Sequence, residues 1–312
     1  MLGGMIEVRH LRVLRAVARA GSYSAAAREL GLTQPAISQQ MKALEKSVGT
    51  PLVARVGRET RLTEAGEVLT RHANGVLAGL AAAEEELAAI AGLSAGRVRL
   101  VSFPTACSAL VPAAVARLRA AEPGVRVSLV EAEPPEAVAM LRAGECEVAL
   151  AFRYPDGAPA DAAAGGCADW TDLDVRPLLE DRLVGVLPAG HRLAGRGEER
   201  PVGLDELAGE QWIAGCPQCR GQLVEMCAAA GFAPDIDFAT DDYPAVVSLV
   251  ATGLGVAVLP EMAMESVRRS GVEVVPVVPS VRREVAALTL PGLAQVPAVA
   301  LMMDQFAAAV AE

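Results

Sequence analysis

Apolar residues recur at helical spacing in the first fifth of the chain. A first stripe ends before Gly21 and consists of Val8, Leu11, Leu14 and Ala18. A second short helix is predicted through Leu30, with Ser22 or Ser24 as its cap, and Gly31 supplies the turn that follows. Thr33 is the predicted cap of a third helix, whose first turn tolerates Pro35. The pattern therefore predicts three helices separated by two tight turns.

The third helix carries two stripes on opposite faces. Its apolar stripe comprises Ile37, Met41, Leu44 and Val48, and its polar stripe comprises Pro35, Ser38, Gln39 and Lys42. At about 100° per residue the two sets point in opposite directions, so one face packs and the other is free for contacts. Gln pairs with adenine edges, Ser with several bases, and Thr or Pro with the thymine methyl group. An ordinary three-helix bundle with a polar outer face satisfies the same polarity pattern.

Residues 51–63, PLVARVGRETRLT, favour DNA binding over that alternative. Three arginines surround Gly57 in a pattern of two strands and a turn, which predicts a winged hairpin. Arg55, Arg58 and Arg61 would lie beside the third helix, where phosphate contacts fix the register of a protein on a duplex.

The run LRVLRAVARAGSYSAAARELGLTQPAISQQMKALEKSVGTPLVARVGRETRLTEAG resembles the winged helix-turn-helix of LysR-type transcriptional regulators. Val53 departs from that pattern, because the family usually has Phe before its wing. Since the family usually starts near Met5, residues 1–4 are interpreted as a start-site extension. The residues expected to face bases are Thr33, Gln34, Pro35, Ser38, Gln39 and Lys42.

A long helix is predicted over residues 64–93. Leu69, Val76, Ala83 and Ile90 repeat every seven residues, as do Ala73, Leu80 and Leu87. Such paired heptad positions suit dimerisation. The alternative is a core helix of the next domain, which the break at Ser94, Ala95 and Gly96 disfavours.

Charge divides unevenly along the 312 residues. The formal charge of the whole chain is −10, yet residues 1–62 carry +6 and the remainder carries −16. This asymmetry indicates a basic module joined to an acidic one. The start lacks a signal-peptide core, which predicts a cytoplasmic protein without a membrane span.

The acidic part alternates strands and helices. RVRLVSF, VRVSLVE and CEVALAF are predicted strands with helices between them, and this βαβαβ order predicts a mostly parallel sheet. A single helical stretch is predicted over residues 104–121 and a mobile connector over residues 153–174. By resemblance to the family, the region is a two-lobed α/β fold like periplasmic solute-binding proteins. The predicted domains are 1–63, the linker 64–93 and 97–312, with lobe I at 97–153 and 275–312 and lobe II at 176–274.

A small-molecule effector is expected between the lobes, because helix N-termini at the ends of parallel strands point free N–H groups into such a crevice. The candidate lining residues are Ser102, Pro104, Thr105, Phe152, Cys216, Asp242 and Tyr243. Simple capping is the alternative for Ser102, Thr105 and Asp242. Asp241 and Asp242 also disfavour a purely anionic effector.

Cys216-Pro-Gln-Cys219, with Cys227 eight residues further, is the sharpest motif outside the N-terminal segment. A thiol ahead of a helix N-terminus can have a lowered pKa and sense redox state, and two or three thiolates can bind a soft metal. Reduced structural thiols are the favoured interpretation, because no fourth metal ligand is evident. No cofactor is predicted. His191 is the only histidine of the acidic part, and LPAGHR indicates a turn rather than a catalytic site.

The sequence thus predicts a ligand-responsive LysR-type regulator and not an enzyme. Its expected partners are double-stranded DNA with an imperfect inverted repeat, an unidentified small-molecule effector, and further copies of the chain as a homodimer or homotetramer. RNA polymerase joins them if the protein is an activator. The competing class is a cytosolic solute-binding or redox protein whose N-terminal bundle serves only assembly.

Overall fold

The structure, a computed structural model, describes residues 6–56, 59–90, 96–154 and 169–311. The N-terminal domain (residues 6–62) contains three helices followed by an antiparallel hairpin. Their bounds are α1 Val8–Ala20, α2 Tyr23–Leu30, α3 Gln34–Val48, β1 Val53–Val56 and β2 Glu59–Leu62. All five elements predicted from the pattern are present.

Local signals set the helix ends of this domain. Ser22 accepts a hydrogen bond from the Ala25 amide and caps α2, and Thr33 does the same for α3. Gly21 and Gly31 follow α1 and α2 in the left-handed region, with φ of 62° and 64°, which glycine adopts without steric cost. The predicted caps and turns are therefore confirmed.

Glu45 anchors the hairpin to α3. Its Oε1 accepts hydrogen bonds from the amides of Leu52 at 2.9 Å and Val53 at 3.4 Å. The Thr60 amide donates to the Gly21 carbonyl, which holds the other strand against the turn between α1 and α2. The apolar stripe of α3 is fully buried at Ile37, Met41 and Leu44. The polar stripe is consequently left on the outside.

The long helix α4 spans Glu64–Ile90. Gly66 lets it pass close to the hairpin, because a Cβ at this position would lie 2.0 Å from the Leu52 carbonyl oxygen. Ala73 and Leu77 are buried against Leu11 of α1. Apolar side chains on other faces are exposed, namely Val68, Val76 and Leu87. Part of the predicted heptad pattern therefore packs within the chain, and part of it is free.

The C-terminal domain (residues 96–154 and 169–311) is an α/β structure with two lobes. Its helices are α5 Pro104–Ala109, α6 Val111–Ala121, α7 Pro134–Arg142, α8 Pro217–Ala229, α9 Tyr243–Ala251, α10 Ala263–Ser266 and α11 Pro297–Val310. Its strands are β3 Arg97–Ser102, β4 Arg126–Glu131, β5 Val148–Arg153, β6 Asp174–Pro188, β7 Val202–Gly203, β8 Gln211–Ala214, β9 Asp235–Ala239, β10 Ala257–Pro260, β11 Val272–Val278 and β12 Arg282–Thr289. The predicted helical stretch over residues 104–121 is divided at Leu110.

One sheet runs through both lobes in the order β4-β3-β5-β12-β6-β11-β7, and β10 also pairs with β6. The strands β3, β4 and β5 are parallel, in agreement with the βαβαβ pattern. The strands β6 and β12 are antiparallel to each other and connect the lobes. Their pairing sets the relative position of the side chains at the junction.

Lobe I contacts the N-terminal domain through polar side chains of α1. The Arg19 guanidinium contacts Glu29 on α2 and Glu145 after α7, and Arg15 donates to the Ala143 carbonyl at 3.3 Å. Of the connector predicted over residues 153–174, residues 155–168 lie outside the described residues, while Arg153 ends β5 and Asp174 begins β6. Within the described part of the chain, no helix combines the length and the apolar character needed to cross a membrane.

Candidate DNA-binding and effector sites

The outer face of α3 presents the polar residues predicted to contact bases. Thr33, Gln34, Pro35, Gln39 and Lys42 are exposed, and Ser38 is half-buried. Because the opposite face forms the core of the domain, these side chains project together from one side of a single helix. A surface helix of this kind fits the width of the DNA major groove.

The hairpin lies beside that face. Gln34 at the start of α3 and Arg55 on β1 border one groove of about 510 Å³. Arg55 and Arg61 are exposed. Arg58, the third arginine predicted to contact phosphates, lies outside the described residues. The hairpin thus places positive charge next to the exposed face of α3.

Arg283 lies at the centre of the junction between the lobes. Its side chain is fully buried on β12, with Nε 2.9 Å from Oδ2 of Asp181 on β6. Its Nη2 donates to Oγ1 of Thr105 at 2.8 Å. The guanidinium also lies over the ring of Phe152, 4.4 Å from the centroid, and 5.2 Å from that of Phe103. A carboxylate and two aromatic faces therefore stabilise a cation that has no access to water.

Among the described residues, the buried polar atoms without a hydrogen-bond partner at this junction include Nη1 of Arg283 and Oε2 of Glu133. Burial raises the pKa of Glu133, and its contact with the Cys216 thiol and the positive charge of Arg283 oppose that rise. Unpaired buried donors and acceptors cost free energy. The pair therefore offers one donor and one acceptor to a small molecule.

Four of the seven predicted effector residues belong to lobe I. Thr105 and Phe152 contact Arg283, whereas the buried Ser102 hydroxyl donates to the Phe103 carbonyl at 3.3 Å. Pro104 begins α5 and is half-buried. Neither Ser102 nor Thr105 caps this helix, so the capping alternative fails for both.

The other three predicted residues belong to lobe II. Cys216 is buried and caps α8, and Tyr243 is buried at the start of α9. Asp242 is exposed and accepts a hydrogen bond from the Ala245 amide at 3.3 Å. Asp242 is thus an N-cap of α9, as its alternative interpretation predicts.

The residues that organise the junction have no local signal in the sequence pattern. The pattern does not mark Arg283, Asp181, Glu133 or Tyr154, although all four converge there. Arg283 stands in the predicted strand REVAALTL, and a charged residue at the start of a strand is usually exposed. The only sequence signal for this ion pair is the presence of an arginine on one predicted strand and an aspartate on another, and it becomes informative once the two strands are known to pair.

Two family models match the chain. Residues 8–67 match the bacterial regulatory helix-turn-helix protein, lysR family, and residues 91–311 match the LysR substrate binding domain. The HTH-type transcriptional regulator IlvR of Caulobacter vibrioides is 31% identical over 92% of this chain and 96% of its own length.

Solved structures show the same fold. A full-length variant of OxyR from Pseudomonas aeruginosa matches with a TM-score of 0.69 and 20% identity, over 97% of this chain and 95% of that one. Full-length CbnR complexed with its target DNA matches with a TM-score of 0.56 and 21% identity, over 97% and 100%. Together with the exposed face of α3, its adjoining hairpin and the two-lobed domain, the family matches identify the protein: it belongs to the LysR family of DNA-binding transcriptional regulators with an effector-binding domain, and it is not an enzyme.

Proposed function

We propose that α3 enters the major groove and that Thr33, Gln34, Pro35, Ser38, Gln39 and Lys42 contact base edges there. Arg55, Arg58 and Arg61 contact the phosphate backbone. The opposition of the two faces of α3 carries this proposal, because Ile37, Met41 and Leu44 on its apolar face are fully buried and its polar face lies on the outside. Polar contacts to base edges specify sequence, and cationic contacts to phosphates add affinity without specificity.

We propose that the protein acts as a homodimer on an imperfect inverted repeat, and that two dimers form a tetramer. The exposed apolar residues of α4, among them Val76 and Leu87, support a helix–helix interface. We place the protein in the cytoplasm, and RNA polymerase is a partner if the protein activates transcription.

The experiment for DNA contact is fluorescence anisotropy with the duplex immediately upstream of the gene and with a scrambled duplex. Replacement of Gln34 by Ala is expected to reduce the preference for the upstream duplex, since a bidentate base contact contributes about 1–3 kcal/mol. Replacement of Arg55 by Ala is expected to reduce the affinity for both duplexes equally and to reduce the salt dependence of that affinity. Gln295→Ala and Arg200→Ala alter exposed residues of the C-terminal domain and serve as matched controls. Unchanged affinity and preference in Gln34→Ala would contradict the placement of α3.

We propose that the effector binds at the junction of the lobes, beside Arg283. The unpaired Nη1 of Arg283 selects a carbonyl or carboxylate oxygen, and the unpaired Oε2 of Glu133 selects a hydrogen-bond donor. The effector is therefore expected to carry both groups, as hydroxy acids and amino acids do.

A panel of small hydroxy acids and amino acids, added to the anisotropy assay, tests this expectation. An active compound should change the DNA affinity of the wild type and should lose its effect in Thr105→Val. This variant removes a hydrogen bond to Arg283 and leaves α3 unchanged. A compound that acts equally on both proteins binds elsewhere.

A further inference from the structure

Two thiols meet at the start of α8. The Sγ atoms of Cys216 and Cys219 are 3.2 Å apart, and the Cys219 amide donates to Cys216 Sγ at 3.5 Å. Both cysteines are free thiols in this structure. Since a disulfide bond is about 2.0 Å long, a movement of roughly 1 Å joins the two sulfurs.

The two thiols differ in exposure and in electrostatic environment. Cys216 is buried, whereas Cys219 is partly exposed. The hydrogen bond from the Cys216 thiol lowers the pKa of Cys219, and the positive charge of Arg283 lowers it further. Partial desolvation of the Cys219 sulfur opposes these two effects but does not cancel them. The same hydrogen bond, together with burial, raises the pKa of Cys216. Cys219 thus carries the greater thiolate character, and it is also the more accessible of the two.

Neighbouring groups complete the environment of the pair. The Tyr154 hydroxyl donates to Cys219 Sγ at 3.9 Å, and Glu133 lies within hydrogen-bonding reach of Cys216. The fully buried Arg283 keeps Nη1 unpaired at this junction. A donor without a partner therefore remains for an incoming molecule.

We propose that Cys216 and Cys219 form a redox-active dithiol that exchanges with a low-molecular-weight disulfide. The Cys219 thiolate attacks one sulfur of the small disulfide, which releases one small thiolate and leaves a mixed disulfide on Cys219. Cys216 then loses its proton to Glu133 and attacks the Cys219 sulfur, which breaks the mixed disulfide and releases the second small thiolate. That thiolate takes the proton from Glu133, and the first thiolate takes from water the proton that the Cys219 thiol lost on ionising. The protein loses two electrons and two protons, and the small disulfide becomes two thiols.

Cys227 makes no comparable approach. It is fully buried on the same helix, and burial raises its pKa to about 11. A thiol of this kind is a poor nucleophile. Cys227 is therefore not expected to take part in the exchange at the start of α8. Any effect of the resulting disulfide on effector binding rests on the proposed function, whereas the exchange itself does not.

The test uses the full-length protein, reduced and desalted, in glutathione buffers of increasing oxidised fraction. Free thiols are then alkylated with N-ethylmaleimide, and the peptides are identified by mass spectrometry. The peptide with Cys216 and Cys219 is expected to lose both labels and two hydrogens in oxidising buffer, and to regain both labels after dithiothreitol. The matched control Cys227→Ser should behave like the wild type at the pair.

Single variants test the order of attack. Cys216→Ser, and independently Cys216→Ala, should accumulate one glutathione on Cys219. Cys219→Ser should acquire glutathione on Cys216 about tenfold more slowly, because the buried thiol carries less thiolate. Full alkylation of both cysteines at the most oxidising ratio would overturn the proposal, and equal rates in the two variants would overturn the assignment of Cys219 as the attacking thiol. Neither readout requires DNA or an effector, so failure here leaves the proposed function untouched.

Discussion

The buried ion pair between Arg283 and Asp181 allows a sharp test of how the junction is stabilised. Replacement of Arg283 by Met keeps a long apolar side chain over Phe152 and removes the cation. Asp181 then remains as a carboxylate that is 4% exposed. It retains one described hydrogen bond, from the Met262 amide to Oδ1 at 3.0 Å. The variant therefore leaves a buried charge without its counterion.

The magnitude follows from that uncompensated charge. Removal of one partner of a buried ion pair costs about 3–5 kcal/mol, while removal of both costs far less. We expect Arg283→Met to lower the free energy of unfolding within that range. The double variant with Asp181→Asn should recover about 2 kcal/mol relative to the sum of the single effects. Arg282→Met is the matched control, because its pair with Glu180 is exposed and contributes less than about 1 kcal/mol.

Urea unfolding followed by tryptophan fluorescence provides the measurement. The chain has two tryptophans, and both Trp170 and Trp212 are buried in the C-terminal domain. The signal therefore reports on the domain that contains the ion pair. A loss in Arg283→Met no larger than in Arg282→Met would refute the reasoning, as would additive effects in the double variant.

Three further outcomes are expected from other parts of the molecule. Gly66→Ala should destabilise the N-terminal domain by about 1–3 kcal/mol, because its Cβ would clash with the Leu52 carbonyl; hydrogen exchange of α1–α3 peptides measures this loss. Glu133→Gln should gain stability relative to the wild type as pH rises above about 4.3. The raised pKa of Glu133 means that ionisation penalises the folded wild type there, and urea titrations across pH will show whether the curves diverge. Leu87→Lys should raise the dimer dissociation constant about tenfold in sedimentation experiments, whereas Glu84→Lys at a neighbouring exposed position should leave it within twofold.

The N-terminal domain could be predicted from the sequence because its signals are local. The hydroxyl oxygens of Ser22 and Thr33 accept hydrogen bonds from amides three residues further along the chain. Gly21 and Gly31 lie directly after the helices they end. The two faces of α3 follow from helical periodicity alone. Such signals act within one turn of the chain, so a pattern along the sequence contains them.

The centre of the proposed effector site depends on contacts that no local pattern contains. Arg283 meets Asp181 across 102 positions of sequence and Thr105 across 178. The antiparallel register of β6 and β12 brings the first pair together, and the sequence pattern does not specify that register. The sequence pattern places Ser102 and Thr105 near the end of β3, but it does not specify their hydrogen-bond partners. The contacts at this junction can therefore be predicted only when the pairing of β6 with β12 is known.

The N-terminal domain contacts the rest of the chain through apolar packing and through ion pairs, and these two kinds of contact differ in strength. The apolar cluster of Leu11, Ala73 and Leu77 joins α1 to α4, and its burial excludes water from all three side chains. The contact to lobe I includes the ion pair of Arg19 with Glu145, whose side chains are both more than a quarter exposed, and Ala78 of α4, which is buried in the core cluster of the C-terminal domain. Because an exposed ion pair contributes less than about 1 kcal/mol, the apolar packing of α4 against lobe I contributes most of this contact. The helices α1 and α4 also pack against each other, so an effector that rearranges lobe I would reposition α3 through both helices.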